Sequence, residues 1–181
     1  MHTLFSRINN LSALLSSCVM GLLAAIAISS MLQTFIAPPL PQGSVQVNSV
    51  KVVPGKGRNH KYEHARIDFA FDADFAPLFN WNTKQLFLYL EAEYTNHKGV
   101  KNAVVIWDKI VRRKEDATIK VTGKKVGGRQ KYAFKDVHGF RDASATYTLR
   151  YNLMPHVGAL VYGVAATSNA TVPFPPMGAT S

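Results

Sequence analysis

His60 and His64 stand four residues apart, a spacing that aims two imidazoles at one metal ion when it falls on a helix with further ligands. Their surroundings, GKGRNHKYEH, are a polar connector. These two therefore read, with His97, His138 and His156, as surface or loop histidines. Asp68, Asp72 and Asp74 share one side of an alternating run, which is the pattern of a solvated strand face rather than of an acid/base pair. Beyond the apolar amino-terminal segment the serines are Ser44, Ser49, Ser144, Ser168 and Ser181, and none sits in a G-x-S-x-G elbow or a Ser-x-x-Lys pattern. The sequence thus names no catalytic residue, no metal ligand and no cofactor-binding residue.

Charge is the more distinctive chemistry. The 181 residues carry 21 Lys plus Arg against 11 Asp plus Glu, a net +10. Residues 109 to 135 hold Lys109, Arg112, Arg113, Lys114, Lys120, Lys124, Lys125, Arg129, Lys131 and Lys135 against Glu115 and Asp116, a local excess of +8. Such a run suits a phosphate backbone or another polyanion. It equally suits a solvated, strongly twisted hairpin protected from edge pairing by its lysines. A second modification-type signal is Asn169-Ala170-Thr171, the only glycosylation sequon outside the amino-terminal region, where Asn10-Leu11-Ser12 forms another.

The elements that would position these groups begin with a gap in the charge. From residue 8 to residue 50 no side chain is charged, and Cys18 is the only ionisable group. Residues 11 to 28, LSALLSSCVMGLLAAIAI, contain 14 apolar residues of 18, with five Leu, two Ile and one Val that favour membrane insertion by about 2 to 5 kcal/mol. The division expected is a cytosolic 1–11, a transmembrane signal-anchor helix 12–32, a linker 33–44 and a translocated β domain 45–181. Arg7, the apolar stretch, Ala25 and Ala27 also fit a cleavable secretory signal; continuation through Met31, Leu32, Phe35 and Ile36 favours an uncleaved anchor. Either way the large domain crosses the membrane, which places it away from nucleic acid. Ala13, Ser17, Gly21, Ala25 and Ser29 recur every four residues and form a small-residue stripe on which another helix could dock. Small residues are also simply frequent in such spans.

Downstream the period is two. Ile67, Phe69, Phe71, Ala73 and Phe75 alternate with Arg66, Asp68, Ala70, Asp72 and Asp74. Leu86, Leu88, Leu90, Ala92 and Tyr94 form a second inward row, opposite a face that begins dry at Phe87 and Tyr89 and ends wet at Glu91 and Glu93. Further strands are expected over 45–53, 103–111, 118–121, 131–134, 145–153 and 165–174, the last held at a sheet edge by Pro173 and Pro175. The fold class is mainly β: one amino-terminal transmembrane helix followed by an antiparallel β-sandwich-like domain. With its one cysteine in the helix, that domain has no disulfide and must stand on packing.

Asn80-Trp81-Asn82-Thr83-Lys84-Gln85-Leu86-Phe87-Leu88-Tyr89-Leu90, Ala92-Glu93-Tyr94, and Val105-Ile106-Trp107-Asp108-Lys109-Ile110-Val111 resemble the signal peptidase complex subunit 3 family. The resemblance extends to residues 4–10, to Thr148-Leu149-Arg150-Tyr151-Asn152 with Pro155 and Gly158, and to Val172-Pro173-Phe174-Pro175. It implies a single-pass type II protein of the endoplasmic reticulum membrane with a lumenal β domain. It also implies a non-catalytic role: holding the catalytic serine-protease subunit, beside the other small membrane subunits, while signal peptides are removed during translocation. Asn80 stands where relatives commonly place Asp, and Ser144 where animal forms carry a sequon Asn, so that charge and that glycan do not transfer. Trp81 and Trp107 are expected as core anchors, and the 172–175 edge as a strand able to add to a partner's sheet. Two other readings stay open on the residues: a polyanion-binding β protein using 109–135, and a hydrolase assembled from distant strands.

Overall fold

A computed structural model of the chain describes residues 3–36, 40–56, 61–122, 128–140 and 142–176. Helix α1 runs unbroken over Leu4–Ile36, and its residues are unburied. It is long and apolar enough to cross a membrane. The helix enters the segment expected as linker, and strand β1 begins within it at Gln42. Pro38 and Pro39, expected to stop the helix, lie outside the described residues, as do His60, Lys124, Lys125 and Ser181.

The rest is two antiparallel sheets face to face. In the first, β2 (Lys61–Asp74) is central: β1 (Gln42–Lys56) pairs along one side, while β5 (Thr118–Val121) and β6 (Phe134–Asp136) share the other. In the second the order is β4 (Lys101–Val111), β3 (Thr83–Thr95), β7 (Ser144–Pro155) and β8 (Val161–Thr167), with β9 (Val172–Pro173) also pairing with β7. The two alternating rows of the sequence are the two inner faces. Ile67, Phe69, Phe71, Ala73 and Phe75, and Leu86, Leu88, Leu90, Ala92 and Tyr94, are all buried.

A bulge sets the aromatic centre of this core. Leu90 pairs with Trp107 and Glu91 with Val105, so Ile106 is an extra residue and both Ile106 and Trp107 turn inward. Trp107 then meets Phe71 edge-on, with ring centroids 4.9 Å apart, and Phe69 at 6.4 Å. Nearer the far end, Tyr94 packs on Phe134 and Phe140, and Phe174 stacks on Phe140 at 4.5 Å. The Tyr94 hydroxyl donates to Asp136 (2.7 Å), and burial, reinforced by this bond, keeps the phenol protonated.

Four expectations change. Trp107 is a core anchor, but Trp81 is 62% exposed, because it lies in the turn before β3 where Asn82 takes the inward position. The expected strand 131–134 is displaced to Phe134–Asp136. The expected strand 165–174 is two strands, because the chain bends at Asn169 and Ala170; β9 does lie at a sheet edge, on Ser144 and Ala145 of β7. Among the described residues the basic stretch forms no hairpin, because β4 and β5 belong to different sheets and β5 and β6 each pair with β2.

Gln130 secures the described part of the connection from β5 to β6. Along β2, residues 128–130 fill the gap between β5 and β6: Phe69 N–H donates to Gly128 O (2.9 Å), and Asp68 bridges Arg129. The Gln130 side chain then stands in for backbone, accepting from Ile67 N–H (2.9 Å) and donating to Ala65 O (3.0 Å). Its next neighbours, Lys131 and Tyr132, donate their N–H groups to Ile106 O, so the bulge joins the two sheets. Truncating Gln130 orphans a buried N–H and a carbonyl together. We expect Gln130→Ala to cost about 2 kcal/mol in urea unfolding of the detergent-solubilised chain.

His64 lies beside the Gln130 amide, with Nε2 3.4 Å from Gln130 Nε2. Burial, and then Arg66 and Lys135, hold its pKa below the ordinary 6.5. The folded state therefore resists a proton that the unfolded chain accepts. Stability from this source is full above pH 6.5 and declines as pH falls through it. Unfolding curves at about pH 7 and about pH 5 should show a smaller acid loss for His64→Gln than for the wild type.

Candidate functional site

The candidate serines and aspartates are distributed over both sheets. Ser49 donates to Asp68 (3.1 Å), and Ser168 accepts from Tyr147 N–H and donates to Ala170 O. The three aspartates also have separate structural duties: Asp72 pairs with Lys120 (2.8 Å), while Asp74 accepts from Ala76 N–H and Thr118 Oγ1. Among the described residues no three His, Cys, Asp or Glu side chains converge on one point. His97 and His138 face each other with ring centroids at 6.0 Å.

The basic stretch disperses over both sheets. Lys131 pairs with Asp108 (3.0 Å) and covers the Trp107 ring, and Tyr132 also donates to Asp108. Partial burial opposes ionisation of Asp108, yet the bonds from Lys131 and Tyr132 outweigh it and hold the carboxyl below its usual range. Lys135 lies over the Tyr62 ring, 4.9 Å from its centroid. A polyanion surface needs such cations convergent and available, and here several serve the fold. No observation favours that reading.

What the fold does build is a seat for the helix. Gly158, in the β7–β8 loop, has φ +120°, and a Cβ there would stand 3.8 Å from Ala27 Cα. Along α1, Ala27, Ser30 and Thr34 are partly shielded, and with Leu153, Pro155 and Val157 they line an apolar cleft of about 630 Å³. The loop is shaped by Asn82, which is 2% exposed. Its amide donates to Val157 O (2.7 Å), its Oδ1 accepts from Val157 N–H (3.1 Å), and its backbone O accepts from His156 N–H (2.8 Å). Sequence reading missed this seat; its only local signals are Gly158 between two strands and small residues at helical spacing on α1.

The small-residue stripe remains open. Ala13, Ser17, Gly21, Ala25 and Ser29 are exposed, and nothing lies within 4 Å of a Cβ placed on Gly21. At about 100° per residue, Ala25 and Ser29 point away from the seat. Ser17 donates to Ala13 O and Ser29 to Ile26 O, so these hydroxyls are satisfied within the helix and need no water. Asn169 lies exposed in the bend between β8 and β9. Arg150 links Glu91 and Glu93 on the wet part of the outer face, while Phe87 and Tyr89 stack on the dry part nearer the seat.

An apolar helix beside a two-sheet β domain defines a helix-bearing β-sandwich. Comparison with known proteins gives the family. The family model described as "Signal peptidase subunit" matches residues 1–177, and the chain belongs to that family. It is 33% identical to "Signal peptidase complex subunit 3" of Yarrowia lipolytica, over 97% of this chain and 98% of that protein. Identity to the protein of that name from Caenorhabditis briggsae is 37%, over 97% and 95%. Against the Saccharomyces cerevisiae protein it is 40%, over 60% and 58%.

Proposed function

We propose that this chain is a non-catalytic subunit of the endoplasmic reticulum signal peptidase complex. Its α1 anchors it as a single-pass type II protein, with the short amino terminus cytosolic and the β domain lumenal. There it supports the catalytic serine-protease subunit, alongside the other small membrane subunits, during removal of signal peptides from nascent secretory chains. The observation that carries this reading is the extent of the match: relatives named for that complex align with nearly the whole chain, through both α1 and the β domain. The open stripe Ala13, Ser17, Gly21, Ala25 and Ser29 is the face on which we place a second membrane helix of the complex.

Depleting the protein should leave pre-proteins uncleaved, read as slower-migrating precursors of a reporter. Replacement with the Gly21→Leu chain should lower the yield of catalytic subunit recovered with it in mild detergent. Normal processing on depletion, with no peptidase subunit co-purifying, would overturn the reading. Lumenal placement also makes Asn169 a glycan acceptor, since its bend is exposed. Peptide-N-glycosidase should increase the gel mobility of the wild type and leave that of Asn169→Gln unchanged.

A further inference from the structure

We infer that the end of the β domain carrying Trp81 and the β7–β8 loop is a second membrane contact, seated in the headgroup region of the lipid bilayer. The inference rests on α1 spanning that bilayer, as proposed above.

Height along the helix carries the argument. Arg7 is the last charge before the uncharged stretch, so it marks the boundary of the hydrocarbon on the amino-terminal side. Twenty residues further on, at about 1.5 Å each, α1 has risen about 30 Å, the thickness of the hydrocarbon core. That position is Ala27, the residue faced by Gly158. The β7–β8 loop therefore meets the helix at the opposite hydrocarbon boundary, and α1 continues beside the domain to Ile36. The count from Arg7 places this boundary five residues before the end of the 12–32 span expected from sequence.

The chemistry of this end fits that depth. Trp81 is 62% exposed and Leu160 49% exposed, both large side chains a soluble core would have taken in. From Tyr151 to Ser181, and from Phe75 to Thr83, the chain contains no Asp, Glu, Lys or Arg. Backbone entering the interface must satisfy its own polar groups. Asn82 does this from a buried position, occupying His156 N–H, Val157 N–H and Val157 O, while the exposed side chains of the loop are His156, Ala159 and Leu160. An exposed indole at such a level is the usual interfacial anchor, its ring in the acyl boundary and its N–H toward water.

The chain has two tryptophans, and Trp107 is buried, so Trp81 can be read by difference. The full chain would be reconstituted in phosphatidylcholine vesicles with and without phosphatidylcholine brominated on its acyl chains. Bromolipid should quench the wild-type emission, more strongly with bromines near the carbonyl end than near the methyl end. The Trp81→Phe chain should lose that quenching. A nitroxide on Leu160→Cys, in a Cys18→Ser background, should relax faster with oxygen than with a water-soluble nickel chelate. Trp81 unquenched by bromolipid, and a Leu160 label open to the nickel chelate, would overturn the inference. Protection of both only in the assembled complex would overturn it too, by assigning the surface to a protein partner. Resistance of the same vesicles to alkaline carbonate extraction reports the α1 span separately.

Discussion

Two rows of alternating apolar side chains, Ala65 to Phe75 on β2 and Leu86 to Tyr94 on β3, have to face each other, and the domain is organised by that requirement. Each strand is central in its own sheet. β1, β5 and β6 attach to β2, while β4 and β7 attach to β3, so every other strand but β8 and β9 pairs directly with one of the two. The single cysteine sits in α1, so no disulfide supplements the packing. Where packing alone leaves the sheets free to slide, aromatic pairs interlock them: Phe71 with Trp107, Phe75 with Tyr151, and Tyr94 with Phe134.

The same alternation explains what was legible from sequence. A strand with one dry face writes its register in period two, so β2 and β3 could be read residue by residue. β4 could be located but not oriented, because the Ile106 bulge breaks the period and sends two consecutive residues inward. The segment 128–133 before β6 was illegible for a different reason. It is held by the Gln130 side chain acting as backbone and by a carbonyl released at a bulge on another sheet. Nothing local distinguishes such a glutamine from a solvated one. Trp81 misled because size and flanking aliphatics argue for burial, whereas its place in a turn argues against it.

The membrane part divides in the same way. Length, lack of charge and the four-residue recurrence of small side chains are properties of α1 itself, and they could be read directly. The seat is a property of two segments 119 or more residues apart, Ala27 to Thr34 and Leu153 to Val161, brought together only by the fold. Its key residue, Asn82, looks in sequence like an ordinary turn former, and only the structure shows it buried and bonded to the loop it shapes.

These features combine into a constraint on movement. A helix that ended at the membrane and led into a flexible linker would let the β domain wander over a wide arc. Here α1 stays helical to Ile36, and the β7–β8 loop grips it nine residues earlier, at Ala27. Ala27, Ser30 and Thr34 line one apolar cleft with Leu153, Pro155 and Val157, and that contact narrows the arc. At the end of the stripe nearest the sheets, Ala25 and Ser29 point away from the seat, so a helix packed there would lie on the side of α1 opposite the β domain. Carrying two contacts on one chain raises the effective concentration of the second once the first has formed, so the position of the seat matters to an assembly as well as the surfaces themselves.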